Sequence, residues 1–136
     1  AVTPKYWRTY GIHVIEGVCA VMGLGIESVQ NVGADGEEIV HMRYADGRHA
    51  VLQTFKGIKE GFHWSFYGDE ASAVVAKLGA YSSFRNTLLQ FVEMLKTGKP
   101  TIDWHETVEL TKVVIAGRIS LAEGNRVVRL EEIKID

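Results

Sequence analysis

The sequence predicts an α+β domain in which helices pack on one face of a predominantly antiparallel, open sheet of about five to six strands. Three observations predict it: helical spacing of apolar residues near the N-terminus, alternating spacing in the middle third, and a return to helical spacing in the last third. With 136 residues, 46% of them hydrophobic, residues 1–136 are expected to form a single domain with a real core.

The first helix is predicted from Tyr10 to Met22. Its apolar residues recur with a 3.6-residue period, and Gly23 and Gly25 then end the pattern. The stripe expected to face the core consists of Tyr10, Val14, Val18, Val21 and Met22.

Five short segments with period-two character follow the first helix, and each reads as a strand. Asp-Gly, Lys-Gly and similar turn signals separate them, so the chain is expected to run as a meander of successive hairpins. The five segments are IESVQNV, EEIVHMRY, RHAVLQTF, GFHWSFYG and ASAVVAKL.

The Asp-Gly pair at 46–47 allows a prediction of hairpin register. A two-residue loop places Tyr44 opposite His49 and therefore sets the faces of both strands. On that register one face carries Val40, Met42, Tyr44, His49 and Val51, and the other carries His41, Arg43, Ala50 and Leu52.

The last third predicts two helices and a closing strand. The second helix begins near Tyr81 and ends at Gly98 and Pro100. The third begins at Asp103 with a pattern similar to a capping box and ends near Gly124. The final segment, RVVRLEEIKI, is predicted as one strand or two.

Composition excludes several classes of function. The net charge is −2 with scattered basic residues, so neither nucleic acid nor a membrane surface is an expected partner. Cys19 is the only cysteine, which rules out an intrachain disulfide and favours a reducing, cytoplasmic location. No metal site is expected, because the predicted register separates His41 from His49. No glycine-rich dinucleotide or phosphate-binding motif is present either.

His13 is the remaining candidate for chemistry. Histidine is the side-chain type whose ordinary pKa suits proton transfer at neutral pH, and His13 is offset by about 100° from the apolar stripe. An exposed helix-surface histidine and a catalytic histidine both fit these residues, and the sequence pattern alone leaves the two open.

Four ordered segments of the sequence are similar to the C-terminal domain of the Gfo/Idh/MocA family of oxidoreductases. They are GIHVIEGVCAVMG, VHMRYADGRHAVLQ, FYGDEASAVV and the long segment from FVEMLKTGKP to RVVRL, and together they cover nearly the whole chain. The resemblance implies a partner Rossmann domain, outside this sequence, that binds NAD or NADP as cofactor. This chain would then supply substrate contacts and use its open sheet face to form a homo-oligomer.

The resemblance also implies roles for individual residues. The family pattern D-x-G-x-H corresponds to TYGIH at 9–13, which aligns His13 with the histidine that exchanges a proton with a sugar or polyol hydroxyl. Thr9 stands where the family has an acid. Lys5, Arg8 and Tyr10 are predicted to hydrogen-bond a small polyhydroxylated substrate, although Tyr10 also fits the core stripe and Arg8 a solvated surface. The alternative function is a non-enzymatic binding or dimerisation module built on the sheet face.

Overall fold

The structure is a computed structural model that describes residues 1–59, 61–76 and 79–135. Its helices are α1 (Trp7–Met22), α2 (Ala80–Thr97) and α3 (Trp104–Ala122). Its strands are β1 (Val2–Pro4), β2 (Ile26–Asn31), β3 (Glu37–Tyr44), β4 (His49–Phe55), β5 (His63–Tyr67), β6 (Ser72–Ala76) and β7 (Val128–Arg129), and a 3₁₀ turn at Leu130–Glu132 follows. The end of the predicted strand ASAVVAKL, at 77–78, lies outside the described residues.

The seven described strands form one open sheet in the order β6-β5-β1-β4-β3-β2-β7, which confirms the α+β prediction with more strands than expected. The prediction of an uninterrupted meander is wrong at one place. β1 lies between β4 and β5, parallel to the first and antiparallel to the second. Its three residues are too few to produce an alternating pattern, so the sequence gives no sign of it.

The predicted register of the β3–β4 hairpin is also wrong, by one residue. The amide of Tyr44 donates to the carbonyl of Arg48 over 2.9 Å, so the loop has three residues and ends on Gly47 at φ +92°. This is the three-residue hairpin loop whose last residue is left-handed. His49 therefore pairs with Arg43, and it shares the open face with His41.

α1 and α3 cover one face of the sheet and enclose the core. Trp7 lies between them, 1% exposed, and its indole N–H donates to the carbonyl of Val114 over 3.0 Å. α1 thus begins three residues earlier than predicted. The face of α1 that packs against the core also differs from the predicted stripe, since Val21 is 62% exposed. The buried residues of α1 are Trp7, Gly11, Val14, Ile15, Val18 and Cys19.

The predicted ends of the later helices are confirmed. Gly98 follows α2 in the left-handed conformation, and the carboxylate of Asp103 accepts the amide of His105 at the start of α3. In α2, all of whose residues are described, none is buried, and the helix carries an exposed apolar stripe that includes Phe84 and Leu95. None of the described helices has the length and apolar character needed to cross a membrane.

Candidate functional site

The candidate site is built where β1 turns into α1. Lys5 has φ +69°, an unusual conformation for a residue with a side chain, and its amide donates to the carbonyl of Phe55 over 3.1 Å. Tyr6 is then the N-cap residue, and α1 starts at Trp7. This sharp junction places the side chain of Lys5 next to the first turns of the helix.

Lys5, Tyr10 and His13, three of the predicted site residues, lie together at this junction. The Lys5 ammonium donates to the Tyr10 hydroxyl over 2.7 Å. The Tyr10 and His13 rings meet edge to face, with centroids 5.3 Å apart and an interplanar angle of 81°. Because residues three apart lie on the same side of a helix, α1 itself fixes the second contact.

His13 has one acidic neighbour on its own helix. Its Nδ1 lies 3.4 Å from Glu16 Oε2, and about half of each side chain is exposed. A proton on Nδ1 shared with Glu16 leaves Nε2 as the nitrogen that can accept a proton. Glu16 therefore orients the ring without burying it.

Phe62 forms an aromatic wall beside His13 that the sequence analysis did not single out. Its ring centroid lies 6.2 Å from that of His13 and 6.3 Å from that of Tyr10. It also stacks on Trp64, whose indole N–H donates to the carbonyl of Val14 in α1 over 3.2 Å. Phe62 and Trp64 thus tie the β5 segment to the helix that carries the histidine.

Arg8 lies on another side of α1. Residues 8 and 13 are separated by about 140° around a helix, so their side chains diverge. The guanidinium of Arg8 pairs with Asp35 over 2.8 Å and stacks over the Tyr6 ring at 4.2 Å. The structure therefore groups Lys5, Tyr10 and His13 and places Arg8 next to the β2–β3 loop.

Thr9 lies one turn before His13, at the position where the resemblance leads one to expect an acid. Its hydroxyl donates to the carbonyl of Tyr6 over 3.2 Å, back into its own helix. The side chain contributes neither charge nor a contact to the imidazole that the structure describes. Glu16 is thus the carboxylate on α1 that contacts His13.

The other candidate groups have structural roles. Burial raises the pKa of the Cys19 thiol to about 11, so it is a protonated residue of the core. His41 Nε2 and His49 Nδ1 lie 2.8 Å apart, contrary to the predicted separation. Among the described residues, however, no cluster of three or more histidine, cysteine or acidic side chains could hold a metal ion.

The junction between β1 and α1 does not have the form of a dinucleotide-binding turn. A pyrophosphate site needs a glycine-rich turn leading from a strand into a helix N-terminus. Here the only residues between β1 and α1 are Lys5 and Tyr6, both with side chains.

Comparison with solved structures gives close matches in fold. A protein assigned as an NADPH-dependent oxidoreductase from Desulfitobacterium hafniense matches with a TM-score of 0.73 and 18% identity, over 96% of this chain and 52% of its own. GenD2 from gentamicin A biosynthesis, solved in complex with NAD, matches with a TM-score of 0.73 and 17% identity, over 88% and 46%.

A third structure, assigned as a myo-inositol dehydrogenase from Sinorhizobium meliloti 1021, matches with a TM-score of 0.67 and 12% identity, over 91% of this chain and 49% of its own. No protein-family profile and no curated protein sequence matches. This chain spans about half the length of the solved structures. The chain therefore has the fold of about half of each of these solved structures, which is the fold expected from the resemblance of its sequence segments.

Proposed function

We propose that this chain is the C-terminal, substrate-binding and oligomerisation domain of an NAD(P)-dependent oxidoreductase that acts on a hydroxyl group of a sugar, polyol or related compound. The observation that carries the proposal is the grouping of Lys5, Tyr10 and His13 at one exposed junction. The fold shared with the NAD complex of GenD2 and with the assigned inositol dehydrogenase supports the class of reaction.

In the proposed reaction His13 exchanges the proton of the substrate hydroxyl. Glu16 holds Nδ1, so Nε2 faces the substrate and takes the proton as the alcohol becomes a carbonyl. The nicotinamide, held by a Rossmann domain outside this sequence, supplies the hydride acceptor.

The other groups of the site suit a polyhydroxylated ligand. The Lys5 ammonium and the Tyr10 hydroxyl offer several hydrogen bonds within a small volume. The Phe62 ring adds an apolar wall against which the carbon face of a sugar ring can rest. A site of this kind fixes orientation through polar groups and gains affinity from the aromatic surface.

The test is NAD(P)-dependent oxidation of a panel of sugars and polyols by the full-length gene product. His13→Gln should lower kcat by about 100-fold or more, with the KM for the nucleotide unchanged. His105→Gln is the matched control, because that imidazole is also exposed and also contacts a carboxylate, that of Asp103. Equal rates for the wild type and His13→Gln would refute the assignment of His13.

A second part of the proposal is that two copies associate through the open face of the sheet. The supporting observation is the exposure of large apolar residues on that face: Val51 is 50% exposed, Tyr67 85% and Val74 76%. A patch of this kind on an antiparallel sheet favours a self-complementary interface. The same observation favours the alternative function, a module that dimerises without catalysis.

Light scattering tests this part separately. The wild-type chain should run above the monomer mass, and Val51→Glu should shift it to the monomer. Ile102→Glu, at an equally exposed apolar residue outside the sheet, should leave the mass unchanged. If the wild type is a monomer, the interface proposal is wrong. If the full-length protein dimerises but lacks NAD(P)-dependent activity, the dimerisation module is the better description.

A further inference from the structure

A pair of histidines lies on the open face of the sheet, away from the candidate site. Val40 and Met42 of β3 are fully buried under the helices, so His41 between them points to the opposite face. His49, the first residue of β4, is exposed on that same face, and its Nδ1 lies 2.8 Å from Nε2 of His41. Because His13 belongs to α1, on the other side of the sheet, the pair is separate from the substrate site proposed above.

The register of the β3–β4 hairpin builds the pair. His41 lies opposite Val51 and His49 lies opposite Arg43, so the two histidines are diagonal neighbours on adjacent strands. Diagonal neighbours on one face of an antiparallel pair are close enough for long or aromatic side chains to meet. The expectation that no metal binds here depended on a two-residue loop, which would have put the two rings on opposite faces.

The two rings present one nitrogen each to the same small space. Their centroids are 5.0 Å apart and their planes are within 12° of parallel, whereas the facing nitrogens are only 2.8 Å apart. The nitrogens therefore lie between the rings, with their lone pairs directed into the gap. One proton can occupy that gap, as an N–H that one ring donates to the other, and a metal ion can take its place.

The surroundings favour a neutral imidazole at His41. Partial burial lowers the pKa of His41, and the nearby His49 and Arg43 lower it further. A neutral imidazole is the form that binds a metal ion, because a protonated ring nitrogen has no lone pair to donate. Arg43 is paired with Glu27 over 3.6 Å, which offsets part of its repulsion of a bound cation.

The spacing of the nitrogens matches one coordination geometry better than another. Metal–imidazole bonds are about 2.0–2.1 Å long, so two nitrogens at right angles around one ion lie about 2.9 Å apart, and two in a tetrahedral site about 3.3 Å apart. The observed 2.8 Å is close to the right-angle value, which is typical of Cu²⁺ and Ni²⁺. The ring of His49 has to turn until both lone pairs point at one ion, and its exposure leaves room for this.

We propose that His41 and His49 form a binding site for a divalent transition-metal ion that prefers right-angle coordination, Cu²⁺ or Ni²⁺. Both ligands come from one chain. Water fills the remaining positions, since no third histidine, cysteine or acidic side chain joins the pair among the described residues. The inference rests on the strand register and the ring contact, so it holds whether or not His13 is catalytic and whether or not two copies associate.

The test is calorimetric titration of the full-length protein with Ni²⁺ at about pH 7.5, where protons compete little for the imidazoles. His41→Gln and His49→Gln should each weaken binding by at least about tenfold, since even the loss of a group that only supports a ligand costs about 10–100-fold. His63→Gln is the matched control and should leave the affinity unchanged. His63 is also an exposed strand histidine, but it lies opposite Val2 and Ala76 rather than beside another histidine.

A variant that adds a ligand keeps the test independent of any loss of stability. Val51 lies opposite His41 and two residues beyond His49 on the same strand, so its side chain is on the same face as both. Val51→His should therefore strengthen Ni²⁺ binding by at least about tenfold, because a third imidazole joins the pair. Val21→His, at a similarly exposed valine of α1, should not strengthen it.

Three results would overturn the proposal. The first is that the wild type does not bind Ni²⁺, or binds it with an affinity that both His41→Gln and His49→Gln leave unchanged. The second is an equal loss of affinity in His63→Gln, because the ion would then bind to any exposed histidine. The third is the absence of a gain in Val51→His, because the ion would then lie elsewhere than between His41 and His49.

Discussion

Gly117→Ala tests how tightly α1 and α3 are held together through Trp7. The indole of Trp7 lies between two glycines, one on each helix. A methyl group on Gly117 would lie 2.5 Å from Trp7 Nε1, and one on Gly11 would lie 2.8 Å from the ring carbons. The ring therefore cannot move away from one helix without approaching the other.

The cost of the substitution follows from three effects. Alanine is a better helix former than glycine by about 1 kcal/mol, which favours the variant. Overpacking a buried ring costs about 2 kcal/mol. Displacing the indole N–H from the carbonyl of Val114 leaves a buried donor unpaired, at about 2 kcal/mol. The free energy of unfolding should therefore fall by about 3 kcal/mol.

Urea denaturation of the isolated chain, followed by tryptophan fluorescence and circular dichroism, measures this change. The control is a double-mutant cycle with Trp7→Phe, since the smaller ring has no atoms at the position of the clash. In the Phe background, Gly117→Ala should cost less than about 1 kcal/mol. A stabilised Gly117→Ala protein would refute the reasoning, because helix propensity would then outweigh the contact with Trp7.

Three further predictions concern single residues. Thr9→Asp adds a carboxylate one turn before His13 and should raise kcat of the full-length enzyme about twofold, the scale of one surface charge pair, whereas Thr9→Asn should not. Partial burial, and then the neighbouring His49, lower the pKa of His41 below its ordinary value of 6.5. Below pH 6.5 the unfolded chain therefore binds more protons than the folded chain does. Urea titrations should therefore show stability decreasing from about pH 6.5 downward, and less so in His41→Gln. Asn31→Ala removes the oxygen that accepts the amide of Gly33 over 3.0 Å and the amide that donates to the carbonyl of Gly117, and should cost about 2 kcal/mol of stability by the same method. Asn31→Asp should cost at least as much, because it would bury a carboxylate facing that carbonyl at a position that is 0% exposed.

The helix ends show how much of the fold local sequence fixes. Asp103 caps α3, and Gly98 ends α2 in a left-handed conformation, both as predicted. A helix cap needs only a suitable side chain, or a glycine in place of a residue with a Cβ, within one turn of the helix end. Adjacent residues in the sequence are therefore enough to predict it. The contact between Tyr10 and His13 is local in the same sense, because helical spacing alone brings the two rings together.

The hairpin at 45–47 shows where local sequence stops being sufficient. Asp46 and Gly47 are compatible with a two-residue and with a three-residue loop, and the two differ by one residue in register. The structure takes the longer loop, which moves His49 onto the face of His41. Burial of Leu52 under the helices, opposite Val40, is the tertiary contact that accompanies this register.

The sequence by itself determined the α+β class, the three helices and the presence of His13 on an exposed side of the first one, because period and capping are properties of neighbouring residues. Only the tertiary structure decided which groups surround that histidine. Phe62 reaches it from β5, and Arg8 turns away toward Asp35. The tertiary structure also placed β1 between β4 and β5, because the pairing of strands about 50 residues apart is not encoded in the spacing of apolar residues within either strand.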